Sequence, residues 1–198
     1  MCGGSQKVVS APPGLTFVVI SDDAKKAMAE RKTQIASFYA NLTTFAHYYE
    51  EKWFPYTMPI SDIYGLRAAF NLIAGDKTLY ERHARIGSAT RAAVKEAGLK
   101  LHLQSGYSNT VTVFDIPECT DAKSILDEMR TKYNIMLAGS FDELSGKVIR
   151  IGHMGENARL EHMVPALEAL SATLTDLGVT LQGNLADLFL KHYREFQD

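Results

Sequence analysis

The chain has 198 residues, of which 46% are hydrophobic and 22% are charged, so the composition is that of a globular protein and not of a disordered one. Its formal net charge of −2 gives it none of the basic character expected of a nucleic-acid-binding protein. Two widely separated cysteines and the lack of any long apolar run exclude a disulfide framework and a membrane span, and we expect a cytoplasmic protein.

Residues 1–75 mix short apolar runs with loops. The β-branched and aromatic run at residues 16–20 predicts a strand, and Ser21 and Asp22 are suited to cap a helix that begins at Asp23. Two prolines and three aromatic residues between positions 52 and 59 indicate an extended loop. Apolar residues at helical spacing predict a helix over residues 61–74.

The second part of the chain alternates predicted helices and strands. Amphipathic spacing predicts helices over 76–97 and 121–132 and a long helix capped by Asn157. Short alternating runs predict strands over 99–103, 110–116, 135–137 and 147–151. This order predicts an α/β domain with a small sheet and helices packed on one face. The remaining residues, 179–198, predict an amphipathic helical tail.

A glycine-rich turn near the start of the chain carries the first chemical motif, Ser5-Gln6-Lys7 followed by Ala11-Pro12-Pro13-Gly14. A single lysine in a polar turn is most often a solvated surface charge. Here, however, small residues allow close approach of a ligand, and Ser5 and Gln6 add hydroxyl and amide donors. The segment resembles the cofactor-lysine segment of class V aminotransferases, most closely the alanine–glyoxylate and serine–pyruvate group.

In that family the lysine forms a Schiff base with pyridoxal 5'-phosphate, and the preceding glutamine contacts the cofactor phosphate. The resemblance therefore implies that Lys7 is the catalytic residue and that Ser5, Gln6 and Lys7 bind the cofactor.

The segment Tyr56-Thr57-Met58-Pro59 resembles a second family motif. Its threonine reaches across a homodimer to the phosphate of the neighbouring subunit's cofactor, so the resemblance assigns that role to Thr57. Phe54 stands where relatives often have a tyrosine, and it has no hydroxyl to donate. Without the resemblance, a turn hydroxyl bonded to its own backbone is the preferred interpretation of Thr57.

The third motif runs from Gly146 to Gly152 and contains Arg150 between two isoleucines. It resembles the family strand whose arginine binds the α-carboxylate of the substrate. A guanidinium group suits this role because it donates two parallel hydrogen bonds to a carboxylate and keeps its charge. On the strand pattern alone, Arg150 could instead lie on a solvated face.

All three motifs occur in the family's order, and the resemblance covers most of the chain. It implies the C-terminal part of a fold-type I transferase dependent on pyridoxal phosphate (PLP). Residues 1–75 would then be the remainder of the large cofactor-binding domain, 76–178 the small α/β domain, and 179–198 a helical tail. The implied reaction is transfer of an amino group from a small amino acid (alanine or serine type) to a 2-oxo acid (glyoxylate or pyruvate type).

Two alternatives remain at this stage. The chain could be a non-catalytic fragment or one half of a split PLP enzyme, because the groups that hold the cofactor ring in relatives are not found in it. It could also run another PLP reaction, such as that of a lyase or a desulfurase, although no cysteine lies on an obvious catalytic loop after Lys7. The six histidines have no metal-ligand spacing, so we expect no metal site.

Overall fold

The structure, a computed structural model, describes residues 1–196 and divides the chain into two compact units, Met1–Ile73 and Ala74–Asp198. The first unit contains two paired strands, two short helices and most of a longer one. These elements are β1 (Cys2–Gly4), β2 (Thr16–Val18), α1 (Asp22–Ala29), α2 (Tyr48–Glu51) and α3 (Ile60–Gly75), with a 3₁₀ turn at Leu42–Phe45.

The strands of the first unit close the loop that carries Lys7. β1 pairs antiparallel with β2, with Cys2 opposite Val18 and Gly4 opposite Thr16. Lys7 therefore lies on the loop that joins the two strands. The sequence predicted β2 and the helix after it, and Ser21 caps α1 by accepting a hydrogen bond from the Ala24 N–H at 3.2 Å.

In the residues that the structure describes, the second unit contains a two-stranded sheet and four α-helices. They are α4 (Leu79–Glu96), β3 (Val111–Asp115), α5 (Ala122–Tyr133), β4 (Val148–Gly152), α6 (Leu160–Asp176) and α7 (Leu185–Glu195). The strands β3 and β4 are antiparallel, α7 packs against α4 and α6, and α5 packs against α6. The last helix is thus part of this unit, and Asn184 caps it through the N–H groups of Ala186 and Asp187.

The two units differ sharply in burial. In the second unit, side chains from every helix and both strands form one core, including Ile86, Phe114, Ile125, Ile149, Leu167, Leu170 and Phe189, all 0% exposed. Each such side chain contributes about 1.5–3 kcal/mol on burial. In the described part of the first unit, the only buried apolar residues are Ala11 and Ala69.

Two predicted strands of the second unit, 99–103 and 135–137, are wrong, because the first is reduced to a single bridge and the second is not extended into a ladder. Leu101 bridges Phe114, and Ala138 bridges Arg150. Leu99 and Leu101 are buried, so their alternation reflects packing against the core and not membership of a ladder. The segment at 135–137 follows directly from the left-handed end of α5 at Asn134, and the single bridge comes one residue later, at Ala138.

Asn157 does not cap the long helix, which is a second correction. Residues Gly155–Asn157 form a separate 3₁₀ turn, and α6 starts at Leu160 with Arg159 at its cap position. Gly155 has φ of +59° and donates its N–H to Nε2 of His83 at 2.9 Å. This buried hydrogen bond holds the turn apart from the helix.

A buried histidine joins the ends of the two strands of the second unit. The Nδ1–H of His153 donates to the Asn109 carbonyl at 3.2 Å, and its Nε2 lies 2.8 Å from the Thr112 hydroxyl. Both nitrogens thus have partners suited to a neutral ring. Burial lowers the pKa of His153 from 6.5 to about 4, because the charged ring cannot be solvated there.

We therefore predict a loss of stability as the pH falls from 6.5 to 4. The unfolded chain binds a proton near pH 6.5 whereas the folded histidine does not, so the stabilisation is complete above 6.5 and is lost on acidification. The loss is on the order of 3 kcal/mol. Urea unfolding across this range should detect it, and His153→Gln should show a much flatter pH dependence. Equal slopes for the two proteins would contradict the assignment.

Helix α3 packs against the proline-rich end of the Lys7 loop through a glycine. A Cβ atom built at Gly65 would lie 3.0 Å from both Cδ and Cγ of Pro12, so the proline ring or the helix would have to shift by a few tenths of an ångström. The other end of α3 offers a matched comparison, since a Cβ at Gly75 would meet nothing within 4 Å.

We predict that the Pro12 contact makes Gly65→Ala less stable than Gly75→Ala by about 1–3 kcal/mol, the usual cost of overpacking, because both variants gain the same preference of alanine for the helix. Gly75→Ala should instead be neutral or stabilising by up to about 1 kcal/mol, because alanine favours the helix. Urea denaturation of both variants measures the difference. If Gly65→Ala were as stable as Gly75→Ala, the loop would not be held against α3 as described.

Candidate active site

The Lys7 loop is closed by a buried serine. Ser5 is 0% exposed; its hydroxyl donates to the Pro12 carbonyl at 2.6 Å and accepts from the Leu15 N–H at 3.3 Å. Its backbone N–H and carbonyl bond to Leu15 and Ala11, each at 3.0 Å. All of these hydrogen bonds of Ser5 are made within the loop. In this structure Ser5 therefore stabilises the shape of the loop.

Beyond Ser5 the loop makes one tight turn that exposes Gln6 and Lys7. The Lys7 N–H donates to the Gly4 carbonyl at 3.2 Å, and the Lys7 carbonyl accepts from the Ser10 N–H at 2.9 Å. Ser10 has φ of +56°, a left-handed conformation that is uncommon outside glycine and often marks functional loops. A Cβ at Gly4 would lie 2.7 Å from Oε1 of Gln6, so the glycine gives the glutamine side chain its room.

Three of the predicted site residues have polar side-chain groups without hydrogen-bond partners in the protein. Within residues 1–196, the side chains of Gln6, Lys7 and Thr57 are exposed and make no hydrogen bond or ion pair with the protein. The Thr57 hydroxyl in particular does not bond to its own backbone, which removes the turn-hydroxyl interpretation for this conformation. All three groups are available to a ligand.

A cluster of aromatic rings fixes the segment that leads to Thr57. The Tyr56 hydroxyl donates to the carbonyls of Tyr39 and Phe38 at 3.0 and 3.3 Å. Its ring stacks on Tyr39 with centroids 4.9 Å apart, and it meets Phe38, Phe45 and Phe54 edge to face. Sequence reasoning identified an aromatic loop here but missed Tyr56 as its centre, because ring-to-ring contacts between distant segments leave no local pattern.

Arg150 lies on β4 in the second unit and is partly buried. Its Nε–H donates to the Gly139 carbonyl at 2.5 Å, and its backbone N–H donates to the Ala138 carbonyl at 2.7 Å. Within residues 1–196 no carboxylate pairs with its guanidinium group, and both Nη atoms lack protein partners. The one-sided anchor at Nε leaves the outer edge of the fork free for a carboxylate.

The other predicted features contribute no additional site. His153, close to Arg150 in sequence, has both ring nitrogens bonded within the protein. No group of three or more histidine, cysteine, aspartate or glutamate side chains in the described part of the chain could hold a metal ion. Nor does any helix among residues 1–196 have both the length and the apolar character needed to cross a membrane.

No protein-family model matches the chain, but individual relatives do. It is 36% identical to the serine–glyoxylate aminotransferase of Methylorubrum extorquens over 183 residues, covering 89% of this chain and 45% of the relative. It is 35% identical to the serine–glyoxylate aminotransferase of Arabidopsis thaliana over 199 residues, covering 96% and 49% respectively. The chain thus spans about half the length of the curated relatives that it matches.

A solved structure gives the same result. The ureidoglycine–glyoxylate aminotransferase of Bacillus subtilis superposes with a TM-score of 0.88 at 30% identity, over 98% of this chain and 51% of that one. The mixed α/β fold is therefore that of part of a fold-type I PLP-dependent transferase. From sequence and structure together, the chain belongs to the class V aminotransferase family, and it corresponds to about half of a family member.

Proposed function

We propose that this chain carries the cofactor lysine of a PLP-dependent transaminase. The reaction would move an amino group from a small amino acid of the alanine or serine type to a 2-oxo acid of the glyoxylate or pyruvate type. The observation that carries the proposal is the Lys7 loop, in which a buried serine holds an unpaired lysine and an unpaired glutamine side by side at an exposed turn. The aminotransferase relatives in sequence and structure support it.

The loop chemistry fits pyridoxal phosphate in two respects. A primary amine without a carboxylate partner is free to join the cofactor covalently, and the adjacent amide of Gln6 is a donor suited to its phosphate. Thr57 adds a hydroxyl donor, and we assign its role to the cofactor of a partner subunit in a homodimer. Ser5 would serve the cofactor indirectly, since its own hydroxyl holds the loop.

When bound, pyridoxal phosphate supplies the electron sink that stabilises negative charge on the substrate's α-carbon. The residues of this chain would do the rest. The Lys7 side chain would move the α-proton of the substrate, which it would take at Nζ. The Nη atoms of Arg150 hold the substrate carboxylate and so fix its orientation.

Glyoxylate appears in the names of the relatives reported above, whereas their donors differ between serine and ureidoglycine. We therefore propose glyoxylate or pyruvate as the acceptor, and for the donor we propose only the class of small amino acids. Cys2 and Cys119 are both exposed and unpaired, which fits the reducing cytoplasm as the compartment.

A second proposal is that the first unit needs a complementing polypeptide before the chain can catalyse a reaction. Large apolar side chains are exposed along it, including Tyr39, Trp53, Tyr64 and Leu72. A cavity of about 910 Å³, lined mainly by apolar residues of β2, α1 and the 42–54 segment, is also left open. Surfaces of this kind are covered by another chain or segment in a working protein. On this alternative the 198-residue chain alone is not catalytic, as expected of a fragment or of half of a split enzyme.

Titration of pyridoxal phosphate into the purified chain tests the role of Lys7. We predict a Schiff-base absorbance band for the wild type and its loss in Lys7→Ala, because no other amine lies on this loop. Lys32→Ala, which changes another exposed lysine of the same unit, is the control and should keep the band. Borohydride reduction and peptide mapping should place the modification on Lys7.

Persistence of the band in Lys7→Ala would overturn the assignment. The same titration separates the two proposals. Tight binding with turnover of alanine and glyoxylate by the chain alone would reject the need for a complementing polypeptide, whereas binding without turnover would support it.

The phosphate donors make a separate prediction. Thr57→Val and Gln6→Met should each weaken binding of pyridoxal phosphate by about 10-fold or more, the usual effect of losing a hydrogen bond to a charged group. Binding of pyridoxal, which has no phosphate, should be unchanged. The ratio of the two dissociation constants is the measurement, and Thr33→Val is the matched control. Equal weakening for both ligands would indicate damage to the loop and not a lost phosphate contact.

A further inference from the structure

The loop that anchors Arg150 also carries an exposed aromatic ring. Two residues after Gly139, whose carbonyl accepts from the Arg150 Nε–H, Phe141 has its ring centre 6.0 Å from the guanidinium carbon of Arg150. The side chain is 68% exposed, so most of its apolar surface is open to solvent.

The backbone after this ring adopts an unusual conformation. Asp142 has φ of +50°, a left-handed value that costs a non-glycine residue energy. The next residues form the 3₁₀ turn Asp142–Leu144, whose Leu144 carbonyl accepts from the Lys147 N–H at 3.1 Å. This hydrogen bond fixes the C-terminal end of the loop immediately before β4. Strained backbone conformations cluster at ligand-binding sites, so this conformation beside an exposed phenylalanine indicates a binding role.

We propose that Phe141 determines substrate specificity at the Arg150 carboxylate site. This inference rests on the proposed function, since it takes Arg150 as the carboxylate ligand. A carboxylate that docks on the Nη edge brings its α-carbon and substituent towards the ring. The ring covers that substituent and keeps water from one face of the ion pair, which strengthens it.

The proposal predicts a preference among small acids. A methyl substituent, as in pyruvate or alanine, gains contact with the Phe141 ring that glyoxylate, with only hydrogen at that position, does not. Burial of one methyl group corresponds to a preference of about fourfold. Phe141 thus favours acids of the pyruvate type over glyoxylate, and a smaller residue there would remove that preference.

Lactate and glycolate are suitable probes, because they differ by this methyl group and do not condense with lysine amines. The full chain labelled with ¹⁵N-arginine is titrated with each acid while the Nε–H signals are followed by NMR, and Arg150→Lys identifies the Arg150 signal. We expect the wild type to bind lactate about fourfold more tightly than glycolate. Phe141→Ala should bring the ratio close to one and weaken both acids.

The matched control is Met136→Ala, which removes another exposed apolar side chain, 83% exposed, from the same unit. It should leave the ratio at its wild-type value. Phe141→Leu, which keeps an apolar side chain, should give an intermediate ratio and guards against a simple loss of folding in the alanine variant.

Two results would overturn the proposal, and only one of them also contradicts the carboxylate role of Arg150. An unchanged lactate-to-glycolate ratio in Phe141→Ala, with the Arg150 signal still responding, rejects the role of Phe141 and leaves the proposed function intact. No response of the Arg150 signal to either acid, up to millimolar concentrations, rejects both Phe141 and the carboxylate role of Arg150. The Lys7 titration is independent of both outcomes.

Discussion

The hydrogen bonds of Ser5 are the interaction on which the proposed chemistry depends. Four bonds to Ala11, Pro12 and Leu15 turn a flexible stretch of small residues into a loop with one exposed tip. A buried hydroxyl without partners would cost about 1–3 kcal/mol, so the fully bonded Ser5 favours this closed loop over alternatives. The position of Lys7 is set by a neighbour that need not touch a ligand, because rigid support is what orients a reactive group.

Helices were the most predictable part of the fold. The apolar spacing of α3, α4, α5 and α7 and the cap at Ser21 are local signals, and such signals are usually kept in the folded structure. The short strands were not predictable, since the runs at 99–103 and 135–137 read as strands but lack partners for a full ladder. Distant residues decide whether such a run pairs into a sheet. The predicted cap at Asn157 is wrong for the same reason, because the distant residue His83 binds the Gly155–Asn157 turn.

The residues of the candidate site also fall into two groups, those that the sequence predicts and those that it does not. Gln6, Lys7, Thr57 and Arg150 were selected from residue type and motif order, and the structure gives each an unpaired polar group. The residues that support them could not be selected, because their importance arises from contact: Tyr56 through carbonyls 17 and 18 residues away, and Phe141 through the guanidinium of Arg150. An aromatic residue in an otherwise polar loop beside the motif strand was the one available signal.

The contrast between the two units bears on how such a protein could work. The second unit buries a continuous core and caps its helices, so it has what an independently stable domain needs. The first unit buries two alanines and one serine while exposing rings and aliphatic side chains, and α3, although rich in apolar residues, buries only Ala69. A helix of that character is stable only when covered. On the proposal that another polypeptide covers α3, that contact would contribute to ordering the Lys7 loop, because Gly65 of α3 packs against Pro12.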